Sequence, residues 1–244
     1  GSFARIEGYD TDPSVARKAL QLGLLDAVVT DLTASIAAAD AVLVAAPTSA
    51  IASLVRRIAA DAGSRSVTVF DAGSVKGSVL EALRRDGEVP VRFVPCHPMA
   101  GSERQGPAAA DANLFRGRRV LVTPLPSTDR AAVERVRGWW NAAGAEVVET
   151  DPHIHDEMVA LTSHLPHLIA ATLATYVLDP AHPEQQAAVC ANGFRDTTRI
   201  ASGSPEMWRD IALANRQELR AALDGFVREL QRMQTILRRG KTAE

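Results

Sequence analysis

Cysteine is scarce in this chain: two residues, Cys96 and Cys190, in 244. They lie too far apart in sequence for a metal-ligand pair, and two thiols cannot staple a disulfide-rich secreted domain, so a reducing compartment fits. A surplus of charge is missing as well. Lys+Arg 27 against Asp+Glu 29 leaves a formal net charge of -2. No basic excess exists to neutralise phosphates, which argues against nucleic acid as a partner. No apolar run approaches the ~18 residues of a membrane span, and no signal peptide opens the chain. The expectation is a soluble cytoplasmic protein that binds neither membrane nor nucleic acid. What is present is ordinary globular composition, 46% hydrophobic and 23% charged, over a length that can bury one large core or two smaller ones.

Strand-like runs recur through the first part at Arg5–Tyr9, Ala27–Thr30, Ala41–Ala46, Val67–Asp71, Val91–Pro95, Arg119–Thr123 and Glu146–Thr150. Several are almost continuously apolar, as in Ala41-Val42-Leu43-Val44-Ala45-Ala46, which is how a strand covered on both faces of a parallel sheet reads. Helical patterns separate them and carry start and stop signals. Asp12-Pro13 sets a capping carboxylate before a first-turn proline. Thr48 is placed to cap a run through Ala62, and Ser127–Ala143 followed by Gly144 reads as a helix with a C-terminal glycine. The alternation predicts a doubly wound α/β domain over residues 1–150. After Asp151 strand signals stop. Helical periodicity covers His155–Leu178, Glu184–Cys190 and Glu206–Arg239, predicting an all-α domain over residues 151–244.

Tyr9-Asp10 ends the first recognisable strand. In a dinucleotide-binding fold an acidic residue at the end of the second strand bonds the adenosine ribose hydroxyls, and would favour NAD over NADP by repelling a 2′-phosphate. Alternatively, Asp10 simply opens a turn with Thr11, Asp12 and Pro13. The first strand and Gly-rich phosphate loop of such a Rossmann-like domain are missing from this sequence. Gly1-Ser2 reads either as an expression scar or as the tail of that loop.

Three motifs then carry chemistry. Asp71-Ala72-Gly73-Ser74-Val75-Lys76-Gly77 follows a buried strand and opens a helix, placing Ser74 at the carboxyl edge of the sheet as a ligand donor or a helix cap. Cys96-His97-Pro98-Met99-Ala100-Gly101-Ser102-Glu103 follows the next strand. An imidazole there can take a proton near neutral pH, as alcohol oxidation requires, although a lone histidine is often a structural hydrogen-bonder. The Gly-rich stretch after it suggests a site loop. The third is Thr162-Ser163-His164-Leu165-Pro166-His167, with Gly193-Phe194-Arg195-Asp196-Thr197-Thr198-Arg199-Ile200 downstream. His164 and His167 share a helix face, and Pro166 kinks the helix. No carboxylate or cysteine pattern completes a metal shell around the histidines. Arg199, in a loop between helices, suits a bidentate grip on a carboxylate or is a surface arginine.

Together with Gly8-Tyr9-Asp10, Ala201 and Met207-Trp208-Arg209-Asp210, these stretches resemble the prephenate dehydrogenase family, in family order and across almost the whole chain. The resemblance implies NAD-dependent oxidative decarboxylation of prephenate to 4-hydroxyphenylpyruvate in tyrosine biosynthesis, by a homodimer built through the helical domain. It implies that His97 is the catalytic base and that Ser74 holds the substrate hydroxyl or orients His97. It implies that Arg199 pairs with a substrate carboxylate and that His164 and His167 line the pocket. Glu103 would gate that pocket by an ion pair, and Ala46-Pro47-Thr48 would lie against the cofactor. Aromatisation drives loss of CO2, so no metal is called for. An arogenate or dual-specificity cyclohexadienyl dehydrogenase is the nearest alternative. A hydroxyacid dehydrogenase relying on a lysine in the helical domain fits less well, since Lys241 is the only one there. A non-catalytic nucleotide-binding protein on the same fold is the remaining reading.

Overall fold

The computed structural model describes residues 3–101, 106–178 and 183–240. The chain separates into two compact units, the first ending at His155 and the second beginning at Asp156.

In the first unit the alternation holds. The order is β1 (Glu7–Gly8), α1 (Pro13–Gln21), β2 (Ala27–Val28), α2 (Leu32–Ala38), β3 (Ala41–Val44), α3 (Thr48–Ala62), β4 (Thr68–Asp71), α4 (Gly77–Arg85), β5 (Phe93–Val94), β6 (Cys96–Pro98), β7 (Arg119–Val122), α5 (Arg130–Ala142) and β8 (Glu146–Glu149). The pairs β1–β2, β3–β4, β4–β5 and β7–β8 are parallel. One pairing departs from a parallel sheet: β6 runs antiparallel to β7, with His97 opposite Leu121. His97 therefore lies on a short strand of its own rather than in a loop.

The caps explain where helices start. Asp12 caps α1, its carboxylate accepting from Ser14 N with Pro13 in the first turn, as the sequence predicts. Three other caps differ. Thr48 is the first residue of α3, and Pro47, which has no side-chain acceptor, stands at its N-cap. Helix α4 starts at Gly77, so Ser74 is not its cap. Helix α5 starts after Asp129, whose carboxylate accepts from Ala131 N, and not at Ser127. Two apolar clusters form the core. Ile51, Val55, Leu80, Leu83 and Phe93 make one, and Val94, Val120, Val133, Val136 and Trp140 the other.

The second unit contains no strand among the described residues. Helix α6 (Pro152–Val159) crosses the division between the units and runs through a π-helical turn (Ala160–His164) into α7 (Leu165–Leu178). The π turn is the structural answer to Pro166. A proline cannot donate to the carbonyl four residues back and crowds it, and widening the preceding turn relieves both problems. This continuous helix is long and apolar enough to cross a membrane by length and composition, with mean hydropathy 1.2 over its best window. That length was not visible as an apolar run in the sequence. Its buried Ala160, Leu165 and Ala170, together with the buried His164 and His167, belong to the packed interior of the second unit.

After α8 (Pro183–Val189) and α9 (Asn192–Thr198), residues Arg199–Ser202 form a 3₁₀ turn, so Arg199 continues a helix instead of lying in a loop. The long run predicted over Glu206–Arg239 is two helices, α10 (Pro205–Ala214) and α11 (Arg216–Arg239), broken at Asn215. Ala160, Leu165, Leu219 and Ala222 are the core of this unit.

Candidate active site

In the first unit, β3 and β4 are parallel neighbours with Val44 opposite Asp71. The turns leaving them therefore start side by side at the carboxyl edge, where open α/β sheets bind ligands. Ala46, Pro47 and Thr48 occupy one turn and Ser74, half-buried, the other. The uncapped start of α3 presents the positive end of a 15-residue helix at this edge. Asp10 follows β1, exposed, with Oδ1 accepting from Asp12 N at 2.8 Å. It makes the turn, and its carboxylate remains at the surface.

A buried ionic knot fixes the second turn. Asp71 and Lys76 are both fully buried and form an ion pair through Oδ2 and Nζ. Asp71 Oδ2 also accepts from Gly73 N at 3.0 Å, and Oδ1 accepts from Cys96 N at 2.8 Å. Lys76 Nζ donates to the Cys96 carbonyl at 2.7 Å. One carboxylate and one ammonium thus tie the end of β4, the Ser74 turn and the start of β6 together, one residue before His97. A side chain at Gly73 would strike Ile51 and the Asp71 carboxylate, so the turn requires glycine. Burial, reinforced by the Asp71 charge, pushes the Cys96 thiol far above its ordinary range, which removes it as a nucleophile.

His97 is 8% exposed and His155 is completely buried. Nδ1 of His97 lies 2.9 Å from Nε2 of His155, with the ring planes at 63°. His155 sits on the first turns of α6, where Asp151 Oδ1 accepts from His153 N at 2.8 Å and Ile154 N at 3.3 Å.

The second unit has its own cavity, about 330 Å³, lined by residues that include His164, His167, Ala201, Gly203, Trp208 and Arg209. His164, in the π turn, is 2% exposed and His167 is 7% exposed. The His167 ring stacks on Trp208 with centroids 3.5 Å apart and planes at 13°. A side chain at Gly203 would run into the Trp208 indole, so glycine leaves room for that stack. Asn215 explains the break between α10 and α11. Its Nδ2 donates to the Asp156 carbonyl at 2.9 Å and lies 3.1 Å from His164 Nδ1, so that nitrogen is the acceptor and Nε2 carries the proton of the neutral ring.

The structure thus brings His164 and His167 to one cavity, as their shared helix face predicts. Arg199 is exposed on the adjoining 3₁₀ turn and does not line the cavity, whereas its neighbour Ala201 does. Glu103 lies outside the described residues. Sequence reasoning missed His155, Asn215 and the Asp71–Lys76 pair. The only signal for His155 was a second histidine two residues after His153, at a helix start.

Burial holds the His167 imidazole below the ordinary histidine value, with the backbone of Ile200 acting the other way. The unfolded chain then takes up this proton first. The stability contributed by the neutral stack is complete above pH about 6.5 and is lost as pH falls below it. Thermal melts between pH about 7.5 and about 5 should therefore decline more steeply for the wild type than for His167→Phe, which keeps an aromatic ring but cannot titrate. Equal slopes would show that His167 is not linked to folding.

Comparison with known proteins identifies both halves. The family "Prephenate dehydrogenase, nucleotide-binding domain" matches residues 1–149 and "Prephenate dehydrogenase, dimerization domain" matches residues 151–244. The chain is 35% identical over 237 residues to a prephenate dehydrogenase of Bacillus subtilis, covering 96% of this chain and 63% of the relative, so it spans about three fifths of that protein's length. It is 35% identical over 231 residues to a cyclohexadienyl dehydrogenase of Zymomonas mobilis, covering 94% of this chain and 78% of the relative. The crystal structure of the Aquifex aeolicus prephenate dehydrogenase, solved with hydroxyphenyl propionate and NAD+, superposes with a TM-score of 0.90 at 32% identity, covering 98% of this chain and 84% of that one. With both halves matched, in order, this chain belongs to the prephenate dehydrogenase family.

Proposed function

We propose that the protein catalyses NAD-dependent oxidative decarboxylation of prephenate to 4-hydroxyphenylpyruvate in tyrosine biosynthesis, with His97 as the base. The observation that carries this reading is a nearly buried imidazole, just past the carboxyl end of β5, held through its Nδ1 by a second imidazole. Family membership supports it, as does the A. aeolicus relative solved with NAD+ and a hydroxyphenyl ligand.

The residues present fit a dinucleotide. The uncapped N-terminus of α3 at Pro47-Thr48 suits its negative charge, and Ala46 lies in the same turn. Asp10, exposed at the end of β1, suits ribose hydroxyls and disfavours a 2′-phosphate. Bound there, NAD supplies the hydride acceptor. The chain's own residues manage the proton. Nε2 of His97 accepts the proton of the ring hydroxyl as hydride departs from the same carbon. Departure of the ring carboxylate as CO2 leaves its electron pair to the aromatising ring, and Nε2 returns the proton to the resulting phenolic oxygen. Ser74, on the turn tied to β6, holds the hydroxyl or orients His97. His164 and His167 line the substrate pocket, and Glu103 gates it.

Prephenate carries a second carboxylate, and Arg199 is the cation to pair with it. Its exposure leaves the guanidinium available to a ligand. Arg199→Ala should raise KM for prephenate roughly 10- to 150-fold, the worth of a charged hydrogen bond of about 1.5–3 kcal/mol. Its effect on kcat should be small, because the pair exists in both ground and transition states. Arg199→Lys should recover only part, since an ammonium cannot make the bidentate fork. An unchanged KM would remove Arg199 from substrate binding.

The functional unit in this reading is a cytoplasmic homodimer assembled through the helical domain. Val227, Leu230, Met233, Ile236 and Leu237 are exposed along α11 at helical spacing, which suits a second copy, and neither described cysteine is in a disulfide. The decisive experiment measures NADH and NADPH formation with prephenate and with arogenate. NAD reduction by prephenate is expected. NADPH formation at an equal rate would overturn the Asp10 argument. Turnover of arogenate alone would assign the arogenate activity, and activity on both the cyclohexadienyl activity named for the Z. mobilis relative. No turnover of either would leave the nucleotide-binding reading.

A further inference from the structure

A neutral histidine is a base at only one of its two nitrogens. Which one is settled by the hydrogen bond the other makes. At His97 the contact is Nδ1 to His155 Nε2, 2.9 Å, between two rings that are 8% and 0% exposed. An N–H···N hydrogen bond needs one protonated and one bare nitrogen. If Nε2 of His155 carried the proton, neutral His97 would hold its own proton on Nε2 and could accept nothing there. If Nδ1 of His97 carries it, Nε2 of His97 is bare and basic.

We propose that His155 is a positioning residue for His97, accepting a hydrogen bond from its Nδ1–H and so locking it in the tautomer whose Nε2 is the base. This rests on the reading of His97 as the base. The direction of the hydrogen bond follows from that reading, and the local construction holds the two rings in place for it. His97 is pinned through the backbone of β6, where Cys96 N and Cys96 O are held by Asp71 and Lys76. His155 is fixed from the other side by its place on α6, its N–H donating to Asp151 O at 2.8 Å. With both backbones fixed, the ring-to-ring hydrogen bond couples the tautomer of one ring to that of the other. The ring planes at 63° rule out face-to-face stacking as the reason for the contact.

The arrangement also shapes the charged state. When Nε2 takes the substrate's proton, His97 becomes an imidazolium whose Nδ1–H points at the lone pair of a neutral partner. A neutral acceptor stabilises that cation without the permanent negative charge of a carboxylate.

The test uses the full chain with 15N-labelled histidine, the His97 resonances being assigned by their loss in His97→Asn. Nitrogen NMR distinguishes the protonated from the bare ring nitrogen without reference to activity. The wild type should show His97 protonated on Nδ1, and His155→Leu should move that proton to Nε2. In kinetics, His155→Leu should lower kcat by about 10- to 100-fold, below or at the low end of the ~10²–10⁴-fold of a lost general base, with KM for prephenate unchanged. His155→Gln, whose amide oxygen can accept from Nδ1–H, should recover most of it. A wild-type His97 protonated on Nε2, or a tautomer indifferent to His155→Leu, overturns the proposal. Should His155→Leu fail to fold, the wild-type tautomer and a His97 still protonated on Nδ1 in His155→Gln decide it. Wild-type turnover in His97→Asn would instead overturn the base assignment, and the tautomer result would stand apart from that outcome.

Discussion

His97→Asn should lower kcat by ~10²–10⁴-fold, the usual cost of losing a general base, while the protein stays folded and NAD affinity stays close to wild type. Both parts follow from the geometry. Asparagine is smaller than histidine and polar, and its side chain can still hydrogen-bond near His155 Nε2. Position 97 therefore loses little packing in a strand whose register is set by backbone bonds to β7. In the proposed reading the nucleotide lies against the turns after β1 and β3, not against position 97. What disappears is a nitrogen able to hold a proton reversibly near neutral pH. The rate constant at saturating substrate and the equilibrium binding of NAD, measured together, separate the two effects. Turnover at the wild-type rate would remove His97 from the chemistry. A parallel loss of NAD binding would mean that the substitution had disturbed the sheet edge and not the proton transfer.

How much of this was legible in the sequence depended on whether the determining contacts were local. The β4 segment announced itself as an apolar run because it is buried between β3 and β5; β3 reads the same way although it lies at the sheet's edge with Leu43 exposed. Asp12-Pro13 announced α1 because a cap is a three-residue affair. Strand β6 gave no such signal. Cys96-His97-Pro98 has no apolar run and ends in a proline that has no N–H to give. It is a strand because β7 pairs with it and because Asp71 and Lys76 hold Cys96 at both its amide and its carbonyl. The break at Asn215 was equally silent. Neither glycine nor proline marks it; the asparagine amide is drawn out of the helix pattern by Asp156 and His164, more than 50 residues away. Among the candidate residues, His97, His164 and His167 were legible because motif residues at strand ends and on one helix face are local facts. His155 was passed over because its meaning lies in a partner 58 residues earlier. Lys76 stood inside a quoted motif, yet nothing local reveals that a lysine three residues past a glycine turn is wholly buried.

Lys76→Met and Asp71→Asn should each destabilise the first unit, the former by about 3–5 kcal/mol, the cost of leaving one member of a buried ion pair without the other. Methionine retains most of the lysine's apolar stem, so packing is little changed and the loss isolates the charge. The remaining carboxylate would keep its two backbone donors, Gly73 N and Cys96 N. Two amides do not offset the desolvation of a full negative charge, and the Cys96 carbonyl would lose its donor as well. At about 2–4 °C per kcal/mol for a chain of this size, Lys76→Met should melt roughly 6–20 °C below wild type. The double variant Asp71→Asn/Lys76→Met carries neither charge. It should be less destabilised than the sum of the single variants, because the second change removes the orphan charge that the first creates. Activity should follow stability only in part. The pair holds the backbone one residue before His97, so a single variant that remains folded at assay temperature should still show a lowered kcat, through a β6 no longer anchored at Cys96. Single variants within about 0.5 kcal/mol of wild type, the range of an ordinary surface substitution, would show that the pair does not carry the turn. Strict additivity in the double variant would show that the two charges do not act on each other.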